Sequence, residues 1–222
     1  DNCIDNAADA SILGGNSNDI SSAGNKSVIG GGCNNCIESS TSFIGGGESN
    51  HMDTNQSTFG GIISGVGNCI TNTKNIIGAG NNNTISGKCS SIASGDLNTI
   101  NANSCRSAIV SGTQNTINRH TSFIGAGYLN SIDCGCTSAI VGGCNNIVSS
   151  SLAFIGGGLT NQISGSSNCS AILVGSFNTL KGENSSIVGG RDNCVGNNCS
   201  VILSGCGHRI ASRNAAIISG HL

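Results

Sequence analysis

The side chains with binding or catalytic chemistry here are cysteines, histidines, scattered carboxylates and a few glycine runs, and their spacing decides among the options. Cys33-Asn34-Asn35-Cys36 has the CxxC spacing of a metal or redox motif. No second CxxC and no nearby His pair accompanies it, so ordinary thiols or disulfides are expected there rather than zinc. His51, His120, His208 and His221 share no common spacing, and no metal or catalytic role is expected of them. Gly30-Gly31-Gly32 resembles a phosphate loop in composition alone, because the following Lys and helix are missing. No Asp series suits calcium, and the acids are not paired as glycoside hydrolysis requires. The chain therefore reads as not an enzyme, with no catalytic residue, no metal site and no cofactor.

What places these residues is a repeat. One Ile returns at the same phase fourteen times: Ile12, Ile29, Ile44, Ile62, Ile77, Ile92, Ile109, Ile124, Ile140, Ile155, Ile172, Ile187, Ile202 and Ile217. A Gly follows each by three residues and, in all coils but the last two, an Asn follows three further on. The Asn set, which starts at Asn2 and Asn18, continues through Asn35, Asn50, Asn68, Asn83, Asn98, Asn115, Asn130, Asn146, Asn161, Asn178 and Asn193, with His208 in the next place. The spacing of 15 to 18 residues is too short for a helical repeat and suits a coil of two short strands and two turns. Such strict periodicity overrides the prior of one or two globular domains for 222 residues.

The first strand of each coil is expected to run from two residues before the Ile to two after it. Alternation then turns the Ile inward with a small residue, mostly Ser, two positions before it. Stacked Ile residues would form a core ladder worth about 1.5–3 kcal/mol per side chain. A second ladder is expected from the aliphatic residue two after each Asn, such as Ile37, Met52 and Ile70. The Asn itself has two open readings: it caps a local turn in a left-handed conformation, or it stacks as an amide ladder between coils.

The residues immediately before and after each Ile trade volume. Phe43 goes with Gly45, Phe123 with Gly125 and Phe154 with Gly156, while Ala108 goes with Val110 and Ala171 with Leu173. A face that stays apolar at near-constant volume reads as buried. A two-strand coil has no second layer with which to cover it. The subunit-interface set is thus Leu13, Val28, Phe43, Ile63, Ile76, Val110, Phe123, Val141, Phe154, Leu173, Val188, Leu203 and Ile218; another domain of the same protein is the alternative cover.

Composition narrows the partners. There are 9 basic and 11 acidic residues, a net charge of −2 and no run of either sign, so neither nucleic acid nor an anionic membrane is expected. No apolar stretch approaches the ~20 residues of a membrane helix. Thr84, Thr99 and Thr116 align in consecutive coils, too few rows for a flat ice-binding lattice. Residues 1–222 read as a single repeat array, cut mid-repeat at both ends and so expected to be a segment of a longer protein. The 13 cysteines occupy outward or loop positions. Cys33/Cys36, Cys134/Cys136 and Cys194/Cys199 are the local disulfide candidates, and an odd total leaves at least one free or paired between chains.

The unit Ser27-Val28-Ile29-Gly30-Gly31-Gly32-Cys33-Asn34-Asn35-Cys36-Ile37 resembles the YadA-like head repeats of trimeric autotransporter adhesins, and the likeness covers essentially the whole chain. Similar repeats occur in viral and phage fibres. The resemblance implies an all-β, left-handed parallel β-roll (a β-solenoid of about 14 two-strand coils), intertwined or side by side as a homotrimer. It also implies a non-enzymatic adhesive fibre at a cell or virion surface, outside the cell, attaching to a host glycan or protein; a spacer or virion fibre without its own ligand is the alternative. The coil is longer than the family's and the cysteines are more numerous than in bacterial passengers, so a virion fibre fits as well as a bacterial one. No binding residue is carried over. Any contacts are expected from the longer loops, Ser21–Lys26, Asp53–Phe59, Asn101–Arg106 and Ser164–Cys169.

Overall fold

The computed structural model describes residues 1–53 and 58–220. These described residues form an all-β parallel β-solenoid, with no helix among them. The chain divides into two compact units, Asp1–Gln114 and Asn115–Leu222, and the same coil recurs through each.

In the first unit a coil is seen at Val28–Ile29 and Cys36–Ile37, two strands of two residues each. The strands pair in parallel with the next coil at zero offset, Ile29 against Ile44 and Ile37 against Met52. In the second unit Ala139–Ile140 pairs with Phe154–Ile155, and Ile147–Val148 with Gln162–Ile163, in the same register. A third ladder of single bridges runs beside these two sheets: Asn16, Cys33, Glu48, Val66, Asn81, Asp96 and Thr113 in the first unit, and Tyr128, Cys144, Leu159, Ser176, Arg191 and Cys206 in the second.

The strands are shorter than the five residues expected from sequence. The first strand of each coil ends at the Ile itself; the corner Gly three residues on, with φ +90° at Gly32 and +97° at Gly143, bars any continuation past it. A backbone turned into that region cannot continue a pleat.

Both aliphatic ladders are inside. The Ile set from Ile29 to Ile202 has 0–1 % exposure, and Ile12 and Ile217 are half-buried. The second ladder, Ile20 through Val195 with Met52, Val148 and Leu180 in place of Ile, is equally closed, and Ile210 nearly so. The Ser two residues before the Ile is inside because it satisfies backbone: Ser170 Oγ donates to Gly182 O (2.9 Å) and accepts from Ser185 N (3.1 Å). Ser185 repeats the pattern with Asn197 O and Ser200 N. These hydroxyls hold groups at the loop corner that no strand reaches.

Of the two readings of the Asn set, the amide ladder is present and so is the hydrogen bond to local backbone, but the left-handed turn does not fall on the Asn itself. Asn35 N and Nδ2 both donate to Asn18 Oδ1 at 3.0 Å, and Nδ2 also donates to Gly31 O (3.1 Å) and Gly47 O (2.9 Å). The left-handed residue is the one before it, Asn34 with φ 55°. The Asn residues from Asn18 to Asn193 are all buried.

Candidate functional site

In the isolated chain the residues flanking each Ile are turned outward. Leu13, Phe43, Ile63, Ile76 and Val110 in the first unit, and Phe123, Val141, Phe154, Leu173, Leu203 and Ile218 in the second, are 38–75 % exposed; Val28 and Val188 are half-buried. Within each unit they recur in nearly every coil, on rungs about 4.8 Å apart, but shift between the place before the Ile and the place after it, so that Phe43 pairs with Gly61 and Phe154 with Ala171. Around the Gly corner apolar residues are intermittent, with Val66 and Leu97 exposed in the first unit and Tyr128, Leu159 and Phe177 in the second, among polar ones such as Glu48, Asn81, Asp96 and Ser176. Arg191 lies over the Phe177 ring at 5.7 Å, the range of a cation–π contact.

Part of the volume trade is internal to the chain. A Cβ placed on Gly45 would lie 3.3 Å from Phe43 Cε1; on Gly125, 3.5 Å from Phe123; on Gly156, 3.4 Å from Phe154. The tighter contact is with the next coil's backbone: that Cβ would overlap Ile63 O on Gly45, Val141 O on Gly125 and Leu173 O on Gly156, so close backbone approach rather than the ring calls for Gly there. The pairs with the large residue second, such as Ala171/Leu173, have no such ring.

The expected loop sites sit at one corner of the coil and are mostly small and polar. In Ser21–Lys26 the tip Ser22-Ala23 is exposed while Gly24 turns inward; in Asn101–Arg106 and Ser164–Cys169 the inward residues are Ser104 and Ser167. Of the loop Asp53–Phe59, residues 54–57 lie outside the described part, as does His221.

All thirteen cysteines are free thiols, so Cys33, Cys36, Cys134, Cys136, Cys194 and Cys199 form none of the three candidate disulfides. Cys33 stands in the bridge ladder and Cys36 in the strand after the Asn, two ladders with different facings. Within one ladder, Cys36 and Cys69 are separated by the His51 rung, and two rungs of about 4.8 Å exceed the ~7 Å Cα limit of a disulfide.

Burial, reinforced by the carboxylates of Glu38 and Asp19, pushes the Cys36 thiol up from 9.0 to about 12. Burial and then Asp53 raise Cys69 as well. At pH 8 the Cys36 thiolate is then roughly a thousandfold scarcer than that of an ordinary thiol, and its greater intrinsic nucleophilicity restores only about 1.4 of those three decades. Folded Cys36 is therefore expected to be alkylated by iodoacetamide about 10–100-fold more slowly than in the denatured chain. Time-resolved peptide mass spectrometry checks this, and equal rates in the two states would refute the burial of this thiol.

Of the histidines, which share no spacing in sequence, the described ones, His51, His120 and His208, stand in separate coils. His208 occupies an Asn place: its backbone N donates to Asn193 Oδ1 (3.0 Å), while its Nε2 is buried without a partner. His51 lies beside Cys36 and Glu38, a grouping that the sequence reading passed over. The signal was present: Cys36 and His51 each follow a ladder Asn directly, in consecutive coils. Among the described residues no helix is long and apolar enough to cross a membrane. No protein-family model and no curated protein matches the chain.

Proposed function

We propose that this chain is a non-enzymatic segment of a fibre on a cell or virion surface, outside the cell, in which three copies pack through the exposed apolar stripe and together present an attachment surface. The observation that carries it is that the stripe, apolar at almost every coil, stays open after the chain has buried its own core. Contiguous apolar surface on this scale is unusual on a monomer. A second copy of the same chain matches it coil for coil, because an identical array has the same rise; a partner of another period would fall out of step within a few rungs. The number three rests on the resemblance to trimeric adhesin heads.

The ligand is a host glycan or protein met by the loops. A spacer role is the second reading: the tips Ser22-Ala23, Asn101-Ala102-Asn103 and Gly165-Ser166 are small and polar, and of the aromatic or Arg anchors on which protein interfaces rely these loops show Arg106 and Phe59, both exposed at loop ends.

Light scattering with and without reductant tests the assembly. The expected mass is near 66 kDa, three times the 22.0 kDa of one chain, in both buffers. Leu173→Asp, at an exposed site, is expected to lower the mass toward one chain while the circular dichroism stays unchanged. A wild-type chain that is folded and monomeric overturns the proposal. Loop exchanges that leave surface attachment intact would select the spacer reading.

A further inference from the structure

On the outward side of the strands that follow the ladder asparagines, Asp19, Cys36, His51 and Cys69 stand on successive rungs in register. Glu38, two residues after Cys36, shares its face. Glu38 Oε1 is 3.8 Å from Cys36 Sγ and 3.6 Å from His51 Nε2. The three donor atoms all lie within 4.8 Å of one another.

His51 Nε2 is the informative atom. The ring is 41 % exposed, yet Nε2 itself is buried and has no hydrogen-bond partner. Its distance to Glu38 is longer than a hydrogen bond. A buried polar atom left unpaired is costly and calls for an explanation. A cation coordinated by all three side chains supplies one. In a tetrahedral site with Zn–S of about 2.3 Å and Zn–N and Zn–O of about 2.0–2.2 Å, the ligand atoms stand about 3.3–3.6 Å apart. The two separations to Glu38 need to close by a few tenths of an ångström, and Cys36 Sγ to His51 Nε2, within 4.8 Å, by at most about 1.2 Å, a movement made by rotation of the side chains.

We propose that Cys36, Glu38 and His51 form a binding site for a divalent ion of the zinc class, with three protein ligands across two adjacent coils and a fourth position open to solvent. Thiolate and imidazole select zinc or cobalt over calcium and magnesium, which take oxygen. The carboxylates of Asp19, Glu38 and Asp53 make this stretch of the ladder electronegative, which attracts a cation. On binding, the Cys36 S–H bond gives way to an S–metal bond and the proton passes to solvent. The ion would tie the rung of Cys36 to that of His51, independently of how copies of the chain assemble.

The test is a titration of the reduced, chelator-treated 222-residue chain with Co2+, followed by thiolate-to-cobalt charge-transfer absorption and the visible d–d bands of tetrahedral cobalt. One saturable equivalent per chain is expected. Cys36→Ser should abolish the charge-transfer band. Glu38→Gln and His51→Ala should each weaken binding at least about tenfold, since even outer-shell partners of a metal contribute that much. Cys33→Ser, from the same CxxC, should leave the titration unchanged. Circular dichroism confirms the fold of each variant, and because all three ligands lie on the partly exposed outer face, at least one is expected to remain folded. A wild-type chain with no saturable band, or a band that survives in folded Glu38→Gln and Cys36→Ser chains, or one lost in Cys33→Ser, overturns the proposal.

Discussion

Gly143→Ala is expected to destabilise the second unit by more than about 4 kcal/mol, enough to unfold the coils around it, whereas Gly142→Ala one residue earlier should change stability by no more than about 0.5 kcal/mol. The two glycines differ in what surrounds them. At Gly143 φ is +97°, and an added Cβ would overlap the Gly158 carbonyl oxygen of the next coil while sitting 2.6 Å from Asn146 Nδ2 and 2.7 Å from Gly158 N. The left-handed conformation alone costs an L residue about 1–3 kcal/mol. The overlap also strikes the carbonyl that accepts from Cys144 N (2.9 Å) and from Asn146 Nδ2 (3.0 Å), so relief by backbone shift would break both bonds. At Gly142 the nearest atom, Ala126 O, is 3.8 Å away, an ordinary contact. Other coils carry Ser64, Ala79 and Val174 at that place. Chemical unfolding followed by circular dichroism separates the two variants. Equal midpoints would mean that the corner does not need glycine and that its recurrence has another cause.

The contrast between these two glycines also shows how far the sequence could be read. The repeated Ile, corner Gly and Asn announce a parallel coil with two aliphatic ladders, because burial and positive φ leave strong marks on residue choice. Strand length left no such mark: two-residue strands and a five-residue alternation produce the same inward Ile. The left-handed residue before each ladder Asn was also hidden, since Leu97, Leu129 and Phe177 occupy that place with φ of 56–57°. None of these types favours the conformation; stacking of the Asn that follows imposes it on them. At the candidate sites, residue types were visible but neighbours were not. Cys36 and His51 are 15 residues apart and adjacent in space because one coil has that length, so their meeting becomes apparent once the coil phase is applied to ligand residues as well as to Ile. The apolar stripe is legible through volume exchange, although the close approach of the next coil's carbonyl to Gly45, Gly125 and Gly156 accounts for part of that exchange within a single chain.

The amide ladder gives the second large expectation: Asn146→Ala should cost about 3–5 kcal/mol, and Asn146→Asp more than that at neutral pH. Asn146 Oδ1 accepts from Asn161 N (3.0 Å) and Asn161 Nδ2 (3.1 Å). Its Nδ2 donates to Asn130 Oδ1 (3.0 Å), Gly142 O (3.2 Å) and Gly158 O (3.0 Å). Alanine removes all five bonds, but the losses are unequal. Gly158 O keeps the Cys144 amide, and Asn161 Nδ2 keeps Gly157 O and Gly175 O; Asn161 N loses its acceptor inside a closed core. That orphaned donor accounts for about 1–3 kcal/mol, the rest being the cavity and the lost bonds. Aspartate restores the acceptor for Asn161 but aims a charged oxygen at Gly142 O, Gly158 O and Asn130 Oδ1, all of them acceptors. The charged form is thus disfavoured in the folded state and the new carboxyl must titrate above its unfolded value of about 3.9. A group whose folded-state affinity for protons is raised contributes in full below the unfolded value and loses stability as pH climbs from there to the higher folded value. Asn146→Asp should accordingly approach Asn146→Ala near pH 3.5, where it can donate one hydrogen bond, and fall below it at pH 7. His208 shows the half of the interaction that a ladder place can spare: its backbone N still reaches Asn193 Oδ1, while its own ring leaves Nε2 unpaired. Unfolding midpoints of the two variants at both pH values decide the matter. An Asn146→Asp chain whose stability relative to Asn146→Ala does not change with pH would show that solvent reaches the ladder, and the amides would then be surface groups rather than the polar spine of the coil.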